Sequence, residues 1–281
     1  VASAGTIAAV TINDSNALDL KALTTTGNLT VTAGGAVTDS GTLVIPGTAT
    51  ISASGQAVTL DESSNNFGTL AITGANVAVT DTNAIILGAS TISGTYDVTT
   101  GGAITDSGAL VITDLTTLAA GSSNDITLDH ASNDFQGGLI ITSGNNVTLV
   151  DTGAIILGAA TVSGTYTVTA GGAVTDSGTQ EIAGVTTIAA GSGNDITLNT
   201  STNNFAAAVV ITSGNNVTLV DEDAIDLGAS TVSGTYTLTA GGAVTDTGAL
   251  AITGVTTLAA GSGNNITLDH TSNNFQAAVI I

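Results

Sequence analysis

One eight-residue phrase occurs four times along the chain and constrains its fold more than any other feature. It reads GGAVTDSG from Gly34, GGAITDSG from Gly101, GGAVTDSG from Gly171 and GGAVTDTG from Gly241. A chain that repeats itself at such a fixed period folds as stacked copies of one unit. We therefore interpret residues 1–281 as a single repeat array, with repeats at about 1–67, 68–137, 138–207 and 208–277 and the start of another at 278–281.

A shorter pattern lies inside each repeat. It is an apolar-polar-apolar triplet, and such alternation is typical of a strand with one buried face. Twelve triplets begin at residues 10, 29, 58, 77, 96, 126, 147, 166, 196, 217, 236 and 266. Because one spacing of 29 or 30 residues occurs with two of 19–21 in each of the first three repeats, the triplets predict three rungs per repeat, one of which carries about ten additional residues. The fold class that follows is all-β: a parallel β-solenoid of about twelve rungs, right-handed, as parallel crossovers generally are, and about 58 Å long.

The two ends of the sequence have the same phase within the repeat. Residues 1–13 align with 68–80, and residues 279–281 align with 209–211. Natural solenoids carry atypical caps at their ends. We therefore expect a slice of a longer array, or a unit that stacks end to end on copies of itself.

Charge and the distribution of apolar residues each exclude one class of partner. The chain has 22 acidic residues against one cation, Lys21, for a formal net charge of −21. Such a chain repels phosphate backbones, so we expect no nucleic acid partner. No apolar run approaches the roughly 18 residues of a membrane-spanning helix, so we expect no membrane insertion.

The phrase GSGNDITL at residues 191–198 resembles the nonapeptide of calcium-binding β-rolls. It nearly recurs at 121–128, which makes Asp125 and Asp195 weak calcium candidates. The same position is Ala57 in the first repeat and Asn265 in the fourth, and Ala57 has no oxygen ligand to offer on its side chain. A structural corner turn is the favoured interpretation, and we expect no cofactor, with calcium as the weaker alternative.

Two sets of aspartates recur at fixed places in the repeat. Equivalent aspartates of successive repeats are expected to stand in one column, three rungs apart. That spacing separates their carboxylates by about 14 Å, too far for the paired carboxylates of a glycosidase. The Asn pairs before each Phe have the same interpretation, since turns use Asx side chains to bond the backbone. With no Cys and no nucleophile–base arrangement, we expect no enzyme and no catalytic residue. The aspartates are Asp39, Asp106, Asp176 and Asp246, and Asp14, Asp81, Asp151 and Asp221.

Threonine and phenylalanine columns are the predicted structural ladder. Thr occupies the middle, outward position of most triplets, whereas the four Phe residues are expected to fill the core. Tyr96, Tyr166 and Tyr236 match Leu29 and are expected to face inward as well. The ladder residues are Thr127, Thr148, Thr167, Thr197, Thr218, Thr237 and Thr267, with Phe67, Phe135, Phe205 and Phe275.

The chain resembles filamentous-haemagglutinin-like exoproteins and bacterial β-strand-repeat adhesins of the two-partner-secretion type. The resemblance rests on the phrases NNVTLVDTGAIILG and STVSGTYTVTAGG and on a Cys-free, Thr/Gly-rich composition. The resemblance implies an extracellular structural or adhesive rod, a stalk or filament on a bacterial surface. Its implied partners are copies of itself, end to end or laterally, and host-cell or matrix glycans.

Two alternatives stay open. One is a self-assembling extracellular fibre or sheath subunit that stacks end to end. The other, less favoured, is a polysaccharide-binding or ice-binding β-helix, the latter suggested by the extended run of alternating threonines at Thr165, Thr167 and Thr169.

Overall fold

A computed structural model describes residues 7–281. The chain divides into two compact units, with the boundary between Gly137 and Gly138. No helix long and apolar enough to cross a membrane occurs among the described residues. Both units are built from short parallel strands and turns.

Most strands of the first unit are short and are separated by glycine-rich or Asx-rich corners. They are β1 (Val10–Asp14), β2 (Leu18–Leu20), β3 (Leu23–Thr24), β4 (Leu29–Ala33), β5 (Val37–Asp39), β6 (Leu43–Ser52), β7 (Val58–Leu60), β8 (Asn66–Gly74), β9 (Val77–Asp81), β10 (Ile85–Leu87), β11 (Ser90–Ile92), β12 (Tyr96–Thr100), β13 (Ile104–Asp106), β14 (Leu110–Ile112), β15 (Thr116–Ala119), β16 (Ile126–Leu128) and β17 (Asp134–Phe135).

The second unit continues the same kind of structure. Its strands are β18 (Gly138–Gly144), β19 (Val147–Asp151), β20 (Ile155–Val162), β21 (Tyr166–Ala170), β22 (Val174–Asp176), β23 (Gln180–Ile182), β24 (Thr186–Ala189), β25 (Ile196–Leu198), β26 (Asn204–Phe205), β27 (Val209–Ser213), β28 (Val217–Asp221), β29 (Ile225–Leu227), β30 (Ser230–Val232), β31 (Tyr236–Ala240), β32 (Val244–Asp246), β33 (Leu250–Ile252), β34 (Thr256–Ala259), β35 (Ile266–Thr267), β36 (Asn274–Phe275) and β37 (Val279–Ile280).

Each unit winds its strands into successive turns that stack in parallel register. In the first unit, one face stacks β2, β5, β7, β9, β12 and β15, and the opposite face begins with β1, β4, β6 and β8. In the second unit, one face stacks β19, β21, β24, β27 and β29, and the other stacks β20, β22, β25, β28, β31, β34 and β37. These pairings confirm the all-β parallel β-solenoid.

The number of turns per repeat differs from the sequence-based prediction. On one face of the second unit, Val147 is followed in register by Tyr166, Thr186 and Val209, which completes three turns. Val217, the counterpart of Val147 one repeat later, lies beyond Val209 and pairs with Ile196 and Tyr236 on the opposite face. One repeat therefore makes three and a half turns, and the four repeats make about 14 turns rather than twelve.

The first unit shows the same half-turn offset. Val10 is followed in register by Leu29, Ala49 and Leu70, whereas its counterpart Val77 pairs with Val58 and Tyr96 on the other face. The long spacings between triplets are thus one and a half turns, and not one turn with an insertion. Within each unit, equivalent residues of its two repeats therefore lie on opposite faces.

The core follows from the alternation of side chains along each strand. Tyr166 and Val168 are buried while Thr167 between them faces outward, and the pattern repeats in β28 and β31. Val, Ile and Leu occupy most inward positions and are almost fully buried. The phase match proposed for the chain ends includes residues 1–6, which lie outside the described residues.

Candidate functional site

A pairing of Asp and Asn side chains, each buried or half-buried, recurs once in every repeat and joins neighbouring turns; we call it the Asp–Asn clamp. In the third repeat, the side-chain amide of Asn203 donates to Oδ2 of Asp176 at 2.7 Å. Asn203 Oδ1 accepts from the backbone N–H of Gln180 at 2.9 Å, and Asp176 Oδ1 accepts from that of Asn199 at 2.9 Å. Each side chain therefore bonds both its partner and the backbone of the turn next to it.

The other three repeats build the clamp in the same way. The amide-to-carboxylate distance is 2.6 Å in each, and the Asn oxygen accepts from a leucine N–H at 2.8 or 2.9 Å. Asn65, Asn133 and Asn203 are fully buried, so the amide hydrogen bonds of these three clamps form away from water, while Asn273 is half-buried. The remaining clamps are Asp39 with Asn65, Asp106 with Asn133, and Asp246 with Asn273.

The second set of aspartates occupies a different corner. Oδ2 of Asp221 accepts from the backbone N–H of Phe205 at 2.8 Å, and Oδ1 accepts from that of Asp223 at 2.8 Å. Asp81 makes the equivalent bonds to Phe67 at 2.6 Å and Asn83 at 2.8 Å. Burial raises the pKa of Asp81 and Asp221 above the usual carboxyl value, against the opposing effect of these backbone donors.

The half-turn offset separates the aspartates that the sequence analysis placed in one column. Asp176 in β22 and Asp246 in β32 lie on opposite faces of the second unit. Asp151 in β19 and Asp221 in β28 are separated in the same way. The prediction of a single column with carboxylates three rungs apart is therefore wrong, because one repeat ends half a turn out of phase with the last.

The phrase GSGNDITL forms a corner between β24 and β25. Gly191 has φ +82°, a left-handed conformation that glycine adopts without steric cost. Its carbonyl accepts from the N–H of Asn194 at 3.2 Å, and the Asn194 amide donates to Ala190 O at 2.8 Å. These bonds are those of a tight turn.

The two calcium candidates lie at equivalent corners, Asp125 in the first unit and Asp195 in the second. Oδ1 of Asp195 accepts from the side-chain amides of Asn215 and Asn216 at 3.0 Å each, and from the Asn216 N–H at 3.1 Å. A cation bound to this oxygen would have to displace these donors. Within residues 7–281, no three His, Asp or Glu side chains converge as a metal-binding group would.

The two histidines sit beside the clamp aspartates. His130 Nδ1 accepts from the backbone N–H of Ser132 at 3.2 Å. The backbone N–H of His130 donates to Oδ2 of Asp106 at 3.3 Å. His270 repeats this arrangement with Ser272 and Asp246. Both rings therefore take part in the corner turn.

The threonines form several ladders on two faces. Thr175, Thr197, Thr218, Thr237 and Thr257 stack in register on one face of the second unit. Thr148 and Thr167 stack with Thr187 on the other face. Of the remaining predicted ladder residues, Thr127 pairs with Thr105 and Thr267 pairs with Thr245.

Sequence reasoning missed Thr175, Thr187 and Thr257 as ladder members. Thr175 lies in the Ala-Val-Thr-Asp phrase, whereas Thr187 and Thr257 follow another Thr, so none of them belongs to a recognised triplet. Alternation in the phrases GGAVTDSG and VTTIAAG was the signal that would have found them.

The aromatic residues lie in the core. Phe67, Phe135 and Phe205 are each 1% exposed, while Phe275 is half-buried. Tyr96, Tyr166 and Tyr236 are also fully buried, and burial raises the pKa of each phenol above its usual value. These rings are therefore not a surface for carbohydrate.

The arrangement as a whole directs its recurring polar side chains toward the backbone of neighbouring turns. Among the side chains that it presents outward are threonines in register on both faces of the second unit. A family described as repeats of unknown function (DUF5649) matches residues 7–73, 74–142, 144–212 and 214–281. Searches of curated proteins and of solved structures returned no match. Because these four matches cover nearly the whole chain, it belongs to the DUF5649 family of repeats.

Proposed function

We propose that this chain is a non-enzymatic structural segment: an extracellular β-solenoid rod that acts as a stalk or filament on a bacterial cell surface. The observation that carries the proposal is the Asp–Asn clamp, which occurs in all four repeats with nearly identical distances. A device that recurs in every repeat and joins one turn to the next serves the integrity of the stack. The rod then functions through its length and its stiffness.

The chemistry of the carboxylates supports a structural role. A glycosidase needs two carboxyl groups facing one substrate. In the clamps and in the corners of Asp81 and Asp221, both carboxylate oxygens accept hydrogen bonds from amide groups of the protein. These aspartates are committed to holding the corners.

The outward faces support an adhesive contribution. Ladders of threonine hydroxyls repeat at the strand spacing of about 4.8 Å and can exchange hydrogen bonds with the hydroxyls of host-cell or matrix glycans. Copies of the chain itself, placed end to end or laterally, are the other partner class that we propose. The resemblance to surface exoproteins favours both.

Changing the number of repeats tests the rod. A turn adds about 4.8 Å, so a repeat of three and a half turns adds about 17 Å. We expect a variant with residues 144–212 duplicated to form particles longer by that amount in electron micrographs, and removal of the same residues to shorten them equally. Particles whose longest dimension does not change would contradict the proposal.

Location and adhesion need a separate test. We expect antibodies against the chain to label intact bacteria that produce the parent protein, and brief protease treatment of those cells to remove the label. We also expect beads coated with the chain to be retained on glycan-bearing surfaces and released by soluble glycan. Label confined to permeabilised cells would overturn the extracellular assignment while leaving the rod itself intact.

A further inference from the structure

Three repeats contain a pair of buried hydroxyl groups that have no hydrogen-bond partner within residues 7–281. Each pair consists of a tyrosine and a threonine whose side chains are at most 1% exposed. Within the described part of the chain, neither the phenol oxygen nor the threonine Oγ1 has a partner at bonding distance. The pairs are Tyr96 with Thr116, Tyr166 with Thr186, and Tyr236 with Thr256.

The two members of each pair are neighbours across adjacent turns. Tyr166 lies in register with Thr186 on one face of the second unit, and Tyr236 with Thr256 on the opposite face. Tyr96 and Thr116 have the same relation in the first unit. Parallel strands in register lie about 4.8 Å apart, and both side chains of a pair point into the core.

The first repeat lacks both hydroxyls. Leu29 stands at its tyrosine position, and the residue in register with Leu29 is Ala49 rather than threonine. Both residues are fully buried. The hydroxyls are therefore present together in three repeats and absent together in one, which is expected if each is retained because of the other.

Burial without a partner would make these hydroxyls costly. A buried polar group left without a hydrogen bond costs about 1–3 kcal/mol, and few such groups occur in native proteins. Internal water molecules commonly satisfy groups of this kind and make about three hydrogen bonds each. Water can both donate to and accept from hydroxyls, which suits a phenol and an alcohol equally.

We propose that each Tyr–Thr pair binds one internal water molecule, shared between the tyrosine hydroxyl and threonine Oγ1. The chain then carries three such sites, one in each repeat except the first. The water ties the inner ends of side chains from successive turns to each other, as the Asp–Asn clamp ties the corners.

Oxygen-17 magnetic relaxation dispersion counts water molecules that stay inside a protein long enough to tumble with it, and it can be applied to the intact chain. We expect Tyr236→Phe to lower this count by one, since the ring stays and only the hydroxyl is removed. Thr237→Val is the matched control, because it removes an outward hydroxyl from the same strand, and we expect no change. An unchanged count in Tyr236→Phe would overturn the proposal.

A second comparison tests whether one water serves both hydroxyls. Thr256→Val is also expected to lower the count by one, and the double variant Tyr236→Phe/Thr256→Val by one and not by two. A loss of two would show separate waters and contradict sharing. A high-resolution crystal structure that places the Tyr236 hydroxyl in a direct bond with Thr256 Oγ1 would contradict the site itself.

Discussion

Two turns of the second unit donate a hydrogen bond to equivalent buried glycine carbonyls, but they do so from different residues. In the fourth repeat, Ser230 Oγ donates to the carbonyl of Gly228 at 3.0 Å, and the residue in register with Ser230 is Leu250. In the third repeat, Ala160 replaces the serine, and its register partner is Gln180. The Gln180 amide donates to the equivalent carbonyl, that of Gly158, at 2.6 Å.

The difference shows that two positions in register vary together in the second, third and fourth repeats. Ser90 in the first unit bonds Gly88 O at 2.9 Å and is paired with Leu110, so it follows the fourth repeat. Gln180 occupies a position that is leucine in the second and fourth repeats, and its side chain supplies the donor that Ala160 lacks. A buried carbonyl needs a donor, and the chain can supply it from either of two adjacent turns.

The largest effect is expected from the Asp–Asn clamp, of which the third and fourth repeats each contain one. Asn203→Ala leaves the Gln180 N–H without its acceptor and Asp176 without its amide donor. Loss of buried hydrogen bonds of this kind predicts a decrease of about 3 kcal/mol in the free energy of unfolding, measured by denaturant titration.

The adjacent residue provides the control for that experiment. Asn204 contributes a single outward contact to Glu181 at 3.2 Å, so Asn204→Ala should change stability by less than about 0.5 kcal/mol. Equal effects of the two substitutions would show that the clamp does not stabilise the stack.

Gln180→Leu places in the third repeat the leucine that the second and fourth repeats have at this position. The Gly158 carbonyl then loses its donor, and we expect a loss of about 1–2 kcal/mol in the same titration. Adding Ala160→Ser supplies the donor in the way the fourth repeat does and should restore most of the loss. If the double variant were no more stable than Gln180→Leu alone, the pairing of the two positions would be refuted.

The stability of the fourth repeat is expected to depend on pH through the carboxyl group of Asp221. Its pKa is raised in the folded chain, chiefly by burial, so the folded state binds the proton more tightly than the unfolded state. The corresponding stability is fully present below the unfolded pKa of about 3.9 and is lost as pH rises through the folded pKa. Stability should therefore increase on acidification from neutral pH.

Acidification also protonates the other carboxylates and so reduces repulsion among negative charges. The variant Asp221→Asn separates the contribution of Asp221 from that general effect. We expect the variant to gain less stability than the natural chain between pH 7 and about pH 4.5, measured as the difference between two denaturation midpoints. Identical gains would mean that the carboxyl titrates alike in the folded and unfolded states.

The smallest effect is expected on the outward ladder. Thr237 faces outward between buried Tyr236 and Leu238. Thr237→Val keeps the β-branched shape and should shift the free energy of unfolding by less than about 0.5 kcal/mol. A loss as large as that of Gln180→Leu would show that the ladder hydroxyls contribute to folding.

Sequence alone was sufficient for the fold class and for the inward direction of the tyrosines, because alternation around residues such as Tyr166 and Val168 fixes which side is buried. The number of turns was not accessible in the same way. Both faces carry the same kind of triplet, so the step from residues 166–168 to 196–198 can be one long turn or one and a half short turns. Only the pairing of Val174 with Ile196 decides between them.

The corners were predictable as turns but not as clamps. Asp176 and Asn203 both occur in phrases typical of turns, yet they are far apart in the sequence. Their contact depends on the length of one complete turn, which the sequence analysis had wrong. The sequence also did not reveal that Gln180 replaces the donor that Ser230 provides in the fourth repeat. That replacement is visible only from the register between β20 and β23, which pairs Gln180 with Ala160.

The most direct test of the three-and-a-half-turn repeat is the distance between equivalent residues. The chain has no natural cysteine, so spin labels can be attached uniquely at Thr167→Cys and Thr237→Cys. With these residues on opposite faces, about 17 Å apart along the stack and at least about 10 Å across it, electron-electron double resonance should give a label separation above about 25 Å. Three turns per repeat would place both residues in one column, about 14 Å apart, and that result would contradict the account.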